Sequence, residues 1–477
     1  MSSSTTRYFW NSLPPEIRLL ILRCIALNFE SKETVRASSL ATVSREWRSF
    51  FEGETFRRIA LASPDLPAFS KVVRGEDAIR PGYIRNLYLR IRLAEYTKRI
   101  YDKPESATNI KENNRTFTSD MTVLLNSLSS WEGTRGGLTL EINAHSPSDQ
   151  IFHRSEGEVH DDYPIRFKED LKDLRSFLEY LRDKRAARVT SIAVPRSVRR
   201  GAARRLRGTP LELLPQRQKR GTCSTNNLPR VPIVKGLVLR RSFFRGIAPE
   251  SIATLLRESF VALESFYLHK WIGQTPDLQT CLMPTLPPTV RRFSFDQSSR
   301  WDSCKYASAP KKLEGLARLM ATSCHRFTEF SPPLKNKESK LQHLTLRTQH
   351  LRPRGRQNFV TDFLIIAALA AMKLPRIRIL EIWNSGHRFG YLFRYAQDSH
   401  RATITWRVIG SQFVLMPKVV GAWTRVASRR PLAIEWISFT DANGTSFNHI
   451  SIHRHLALRR LAFDPITEAQ IAAGMAL

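Results

Sequence analysis

Cysteine is scarce in this chain. Among 477 residues there are five, Cys24, Cys223, Cys281, Cys304 and Cys324, and no two stand as Cys-x-x-Cys. An odd number without metal-ligand spacing argues against a disulfide framework and a zinc ribbon, and for a reducing compartment. Long apolar runs are lacking too. The longest, Phe363 to Met372, is half of the roughly 20 residues a bilayer requires. It predicts a buried helix, with Asp362 placed to cap it. The opening MSSSTTRYFW lacks the apolar core of a signal peptide. The expectation is a soluble protein of cytoplasm, nucleus or both, with no membrane partner. Acidic residues are the third shortage: 43 Asp and Glu face 75 Lys and Arg, for a net charge of +32. That balance permits nucleic acid, acidic protein or anionic lipid as partner, and says nothing about fold.

Catalytic signatures are also missing. There is no phosphate-binding glycine loop, no Gly-x-Ser-x-Gly elbow and no His-Glu-x-x-His. Gly133 to Gly137 reads GTRGG and lacks the Lys-Ser/Thr a phosphate loop requires. His449, His453 and His455 are close in sequence. His449 and His453 would share a helical face, while His453 and His455 would share a strand face, so a common metal site is strained. Cys324 and His325 are neighbours whose side chains diverge, and Asp161 and Asp162 lie in a polar stretch. The chain is expected not to be an enzyme, with no catalytic residue, metal or cofactor. Such absences leave open an α/β enzyme without a familiar motif.

What is present suffices for a core: 42% of residues are hydrophobic, with nine Trp and 26 Phe. The length fits about two to four domains. Near the start, Leu13 to Leu22 reads LPPEIRLLIL, and LATVSREWRSFF follows from Leu40. Pro14 and Pro15 suit a helix entry, where proline loses only a donor that would be orphaned anyway. Glu16 favours the positive helix end. Ile17, Leu20, Ile21 and Cys24 then fall on one helical face, and Leu40, Val43, Trp47 and Phe51 repeat the spacing in a second helix. Asn28 to Glu33 is polar and turns the chain between them. Two short amphipathic helices need a further surface to cover them, supplied either by the rest of the chain or by a partner.

This stretch resembles the F-box. The resemblance implies an adaptor element without chemistry, docking on a Skp-type adaptor and through it on a cullin. By position, Leu13, Pro14, Ile17, Leu20, Ile21, Val43 and Trp47 would face the adaptor. The gap between the motif's two ends exceeds the common F-box spacing, and the extra residues fall near Asn28 to Lys32.

Beyond Phe56, eight places fit apolar-x-x-apolar-x-apolar, the strand core of a leucine-rich repeat. They are Ile84/Leu87/Leu89, Val234/Leu237/Leu239, Leu263/Phe266/Leu268, Val290/Phe293/Phe295, Leu341/Leu344/Leu346, Ile377/Leu380/Ile382, Ile434/Ile437/Phe439 and Leu458/Leu461/Phe463. Helical stretches at Ala248 to Phe260, Lys312 to Ser323 and Thr361 to Met372 alternate with them, favouring a parallel sheet. The Asn or Cys of ordinary repeats is replaced by Ser242, Trp271, Ser298 or Gln349. The fold class expected is α/β: a short N-terminal helical F-box followed by an irregular leucine-rich-repeat-like solenoid with insertions. An irregular α/β domain is the alternative. Leu228 to Trp271 also resembles a group of fungal F-box-like proteins with uncharacterised C-terminal regions.

Leu181 to Arg220 holds thirteen Lys or Arg and two acidic residues. Its Gly, Pro and Ala content predicts an inserted loop, disordered in isolation. RRGAARRLR and QRQKR suit nuclear import, phosphate contact, or a merely solvated loop. The absence of interleaved aromatics disfavours base stacking. The organisation expected is an F-box-like module at 8–56, a linker and first part of the repeat-like domain at 57–180, the basic insertion at 181–228, and the main repeat-like α/β domain at 229–470. The function implied is a substrate-recognition adaptor of a Skp–cullin–F-box-type ubiquitin ligase that holds an unidentified target protein. A basic nuclear nucleic-acid- or chromatin-binding protein remains the alternative.

Overall fold

The computed structural model describes residues 10–29, 37–74, 80–131, 137–152, 196–215, 228–240, 243–271, 285–298, 339–348, 351, 357–372, 374–386, 389–409, 413–428, 430–436 and 451–463. Three N-terminal helices, α1 (Pro15–Phe29), α2 (Ala37–Leu40) and α3 (Arg45–Phe56), precede the main body. There, β1 (Arg58–Ala62), α4 (Leu66–Arg74), β2 (Asn86–Arg92), α5 (Ala107–Ser129), β3 (Leu138–His145), α6 (Pro147–Phe152) and α7 (Arg196–Arg207) follow one another. Next come β4 (Val234–Leu239), α8 (Pro249–Thr254), β5 (Ser265–Trp271), β6 (Arg292–Ser298), β7 (His343–Arg347), α9 (Gln357–Ala371) and β8 (Ile379–Gly386). The last elements are β9 (Phe389–Gln397), β10 (Ala402–Ile409), α10 (Pro417–Ala427), β11 (Leu432–Trp436) and α11 (Arg459–Ala462).

The eleven strands among the described residues form one sheet, in which each pairs with its neighbours in sequence. Strands β1 to β8 are parallel, β8–β9–β10 are antiparallel, and β11 is parallel to β10. The register joins equivalent positions. Leu87, Leu140, Leu237, Phe266, Phe293, Leu344 and Leu380 are successive Cα partners across seven strands. All seven are buried. Because side chains alternate along a strand, this row turns one whole face apolar. The helices carry complementary stripes. Helix α5, capped where Ser106 Oγ accepts from the Asn109 amide at 3.2 Å, buries Phe117, Met121, Leu124, Leu125 and Leu128. Helix α9 buries Val360, Phe363, Leu364, Ala367 and Ala371, and is tied to α10 by the Trp423 indole donating to Leu364 O at 3.1 Å. At about 1.5–3 kcal/mol per large apolar side chain, this continuous layer is the main stabilising feature of the body.

Six of the eight repeat-like matches are strands β2 and β4 to β8. Ile434 lies in β11, while Ile437 and Phe439 lie outside the described residues. The eighth match is a correction: Arg459–Ala462, between Leu458 and Phe463, is the short helix α11. Apolar residues three apart fit a helical turn as well as a repeat strand, and here Phe463 packs on the Trp383 ring, centroids 5.1 Å apart. Strands β1, β3, β9 and β10 fall outside the eight matches, although β1 has the same spacing in Phe56/Ile59/Leu61. Asp362 does not cap α9, which begins at Gln357; its carboxylate instead lies 3.6 Å from Lys418 Nζ on α10. The proposed helix at Lys312 to Ser323 lies outside the described residues.

Part of the basic segment is built in rather than looped out. Helix α7 spans Arg196–Arg207, and Arg205, Leu206 and Leu211 are buried. Arg205 stacks over the Tyr96 ring at 4.6 Å and donates to Pro104 O at 3.2 Å. Beside it the Glu105 carboxylate pairs with Arg245 and accepts from the Thr209 amide at 2.7 Å and from Asn113 at 2.9 Å. Asp149 accepts the Tyr96 hydroxyl at 2.6 Å, and burial together with that carboxylate keeps the phenol protonated far above its usual range. Local composition marks Arg205 as solvated. Its stacking on Tyr96 and its bond to Pro104 O, beside the buried Arg245–Glu105 pair, override it.

Candidate docking interface

The N-terminal module is assembled from a few polar ties. Pro15 opens α1, and the Leu13 amide closes the preceding 3₁₀ turn on Trp10 O at 3.2 Å. The second helix expected from Leu40 to Phe51 is broken in two, which corrects that reading. Helix α2 ends at Leu40, and Val43 sits in a turn where the Thr42 and Val43 amides reach back to Ser39 O and Leu40 O. Ser44 then caps α3, its hydroxyl accepting from the Trp47 amide at 3.3 Å. A serine competes well with helix continuation and so restarts the helix here.

Glu46 is the clasp between α1 and α3. Its Oε2 accepts from the Trp10 indole at 2.8 Å and from Arg18 at 3.0 Å. Trp47 is half-buried between Trp10 and Phe51, with centroids 5.6 and 5.7 Å away. Trp10, Arg18 and Glu46 did not emerge from the sequence reading. Their signal is the i, i+4, i+7 face Arg18, Leu22, Ile25, which α1 turns inward; Leu22 is buried.

The opposite face of α1 is therefore left outside. Ile17 is 43% exposed and Leu20 55%, Ile21 is half-buried, and Cys24 is exposed. Val43 is 60% exposed in its turn, Pro14 is exposed, and Leu13 is half-buried. Of the seven residues expected to face an adaptor, none is fully buried by the chain itself. Leu19, off the expected stripe, is also 40% exposed. Of Asn28 to Lys32, where the longer spacing falls, Asn28 and Phe29 continue α1 rather than turning the chain, and residues 30–36 lie outside the described residues.

The sheet face away from the helices is polar. On it, the Tyr267 hydroxyl meets His269 Nδ1 at 2.8 Å, and His269 Nε2 lies 2.5 Å from Asp296 Oδ2. Arg347 stands 3.5 Å from the same carboxylate and 5.2 Å over the Trp383 ring. All five side chains are buried. Part of this face is covered by a C-terminal strap, the 3₁₀ turn Ser451–His455 followed by α11. Glu381, fully buried, accepts from Arg394 at 2.7 Å and from the Ala457 and Leu458 amides at 2.8 and 2.9 Å. His453 is buried against Phe463 and Trp383 with ring centroids 3.8 and 6.0 Å away, and His455 Nδ1 contacts Arg407 at 2.5 Å. The histidines of this stretch therefore pack and bridge. His449, the pair Cys324 and His325, and Asp161 and Asp162 lie outside the described residues. Among the described residues no three His, Cys, Asp or Glu side chains converge as a metal site. No helix among them is long and apolar enough to cross a membrane.

A family of unknown function (DUF6546) matches residues 295–464, less than half of the chain. The match opens in β6 and closes just past Phe463, so it encloses both the polar face of β6 to β10 and the strap that covers it. No curated protein matches this chain.

Proposed function

We propose that this chain is a substrate-recognition adaptor of a Skp–cullin–F-box-type ubiquitin ligase. The N-terminal helices dock on the Skp-type adaptor, which links them to a cullin, and the sheet-based body holds a target protein. The observation that carries this reading is the outward apolar face of α1 together with the turn before α3: Ile17 and Leu20 on the helix and Val43 in the turn are each 43% or more exposed. Exposed large aliphatic side chains on a small module are the expected state of a docking element seen without its partner. The body supports the reading as a leucine-rich-repeat-like solenoid with long insertions. Its strands follow in sequence order, in register, with helices along one face. Such a domain offers an extended surface and acts by proximity, raising the concentration of target lysines near a charged enzyme elsewhere on the scaffold.

Co-expression with a Skp-type adaptor tests this. Leu20→Asp with Val43→Asp changes exposed side chains and leaves the Trp10–Glu46–Arg18 clasp intact. Covering the exposed halves of these side chains contributes about 1 kcal/mol each, so with the charges added the affinity should fall at least about thirtyfold. Trp47→Ala is the poorer variant, because Trp47 also packs inside the module. Failure of the intact chain to associate removes the proposal. Equal association of the double variant removes the site.

A further inference from the structure

The strand-start rim of the sheet carries a row of cations. Lys235, Glu264, Arg291, Gln342 and Arg378 are joined by backbone hydrogen bonds at 2.8–2.9 Å, each residue's amide donating to the carbonyl of the one before it. In the next row, Arg292 and His343 are Cα partners. Adjacent strands lie about 4.8 Å apart, so these side chains stand within a screening length of one another and their potentials add. Arg291, Arg292, Lys340 and Arg378 are exposed, and none of the four is ion-paired with a described residue. His343 reports the field: burial, then Arg292 and Arg378, hold its imidazole below the usual range. At one end of the row is an open cleft of about 400 Å³, lined by Thr139, Lys235, Glu264, Ser265 and Arg292. Gly236 on its wall has no room for a side chain, since a Cβ there would meet Thr139 Oγ1 at 2.8 Å. Lys235 and Glu264 face each other there at 3.8 Å.

We infer that this rim is a docking surface for an acidic segment of a partner polypeptide, running across the starts of β5 to β8 with one end in the cleft. An extended peptide presents same-side carboxylates about 6.8 Å apart, a repeat that flexible arginines on 4.8 Å strands can follow. The row has no Trp, Tyr or Phe on which a base could stack. An acidic polypeptide therefore fits better than a nucleic-acid strand. The inference deepens the receptor reading by placing the target, and its test does not involve the adaptor.

The test is fluorescence anisotropy of the full chain with a labelled twelve-residue Glu-rich peptide, alongside a single-stranded oligonucleotide of equal length. Arg292→Glu with Arg378→Glu should weaken peptide binding by roughly tenfold or more, and the wild-type affinity should fall as salt rises. Lys111→Glu with Arg115→Glu, exposed on α5, should change it less than about twofold. The milder Arg292→Gln with Arg378→Gln, checked for native circular dichroism, must weaken binding in the same direction. The inference is overturned by absence of peptide binding, by equal losses in the rim and α5 variants, or by an oligonucleotide that binds tighter through the same arginines. Peptide binding without adaptor association would retain the rim and remove the ligase reading; the reverse would do the opposite.

Discussion

Glu381→Ala should release the C-terminal strap. The carboxylate is fully buried on β8 and holds three donors at 2.7–2.9 Å, two of them strap amides. Breaking a buried charged pair costs about 3–5 kcal/mol, largely through the partner left behind. Here the partner, Arg394, keeps the His455 carbonyl and is partly solvated, which places the loss near about 3 kcal/mol. The strap has a small apolar cluster of its own, Ile452, Leu456, Ala462 and Phe463 on Trp383 and Leu392, so it should open locally before the sheet unfolds. Hydrogen exchange over residues 451–463 reads this directly. About 3 kcal/mol corresponds to roughly hundredfold faster exchange at Ala457 and Leu458. Glu381→Gln should be intermediate, because one oxygen still accepts while the other position becomes a donor facing an N–H. Unchanged exchange in the strap, or equal loosening of β2 to β5, would refute the reasoning.

Three further outcomes are expected. Ser44→Ala removes the cap of α3 and should cost about 1 kcal/mol, read as a lower denaturation midpoint of the N-terminal module. Gly208, at φ +53°, sits against Arg245 and Glu105; Gly208→Ala drives a methyl into that ion pair and should destabilise by about 2–4 kcal/mol, seen in chemical denaturation. His145 is held down to about 3 by burial, then by Arg90, Arg92 and Arg245. The unfolded chain takes up this proton below about pH 6.5 and the folded chain does not, so its contribution to stability is lost as pH falls from about 6.5 towards 3. His145→Asn should flatten that slope when unfolding is compared at pH 7 and pH 5, and an unchanged slope would count against it.

Much of the sheet is legible from sequence. Positions such as Leu237, Phe266 and Phe293 recur at a fixed offset within each strand, and alternation requires them to share a face. The N-terminal helices are legible for a similar reason: proline entry and helical spacing are local. The exposed apolar face of the N-terminal module is only half legible. Helix α1 is apolar nearly all round, so the spacing of Ile17, Leu20 and Ile21 marks a stripe without saying whether it faces inward. The clasp of Arg18 and Trp10 on Glu46 decides that. The break at Val43 was hidden because Leu40, Val43, Trp47 and Phe51 keep helical spacing through a non-helical turn.

By itself, then, the sequence determined six of the strand cores, the helix entry at Pro15 and the excess of positive charge. The tertiary structure alone decided where that charge goes. Parallel, in-register pairing lines up residues far apart in the chain, whatever loops intervene, and so brings Arg291, Arg292 and Arg378 to one rim. Folding of the strap onto β8 likewise turns Glu381, a polar residue within a strand, into the acceptor that closes the polar face.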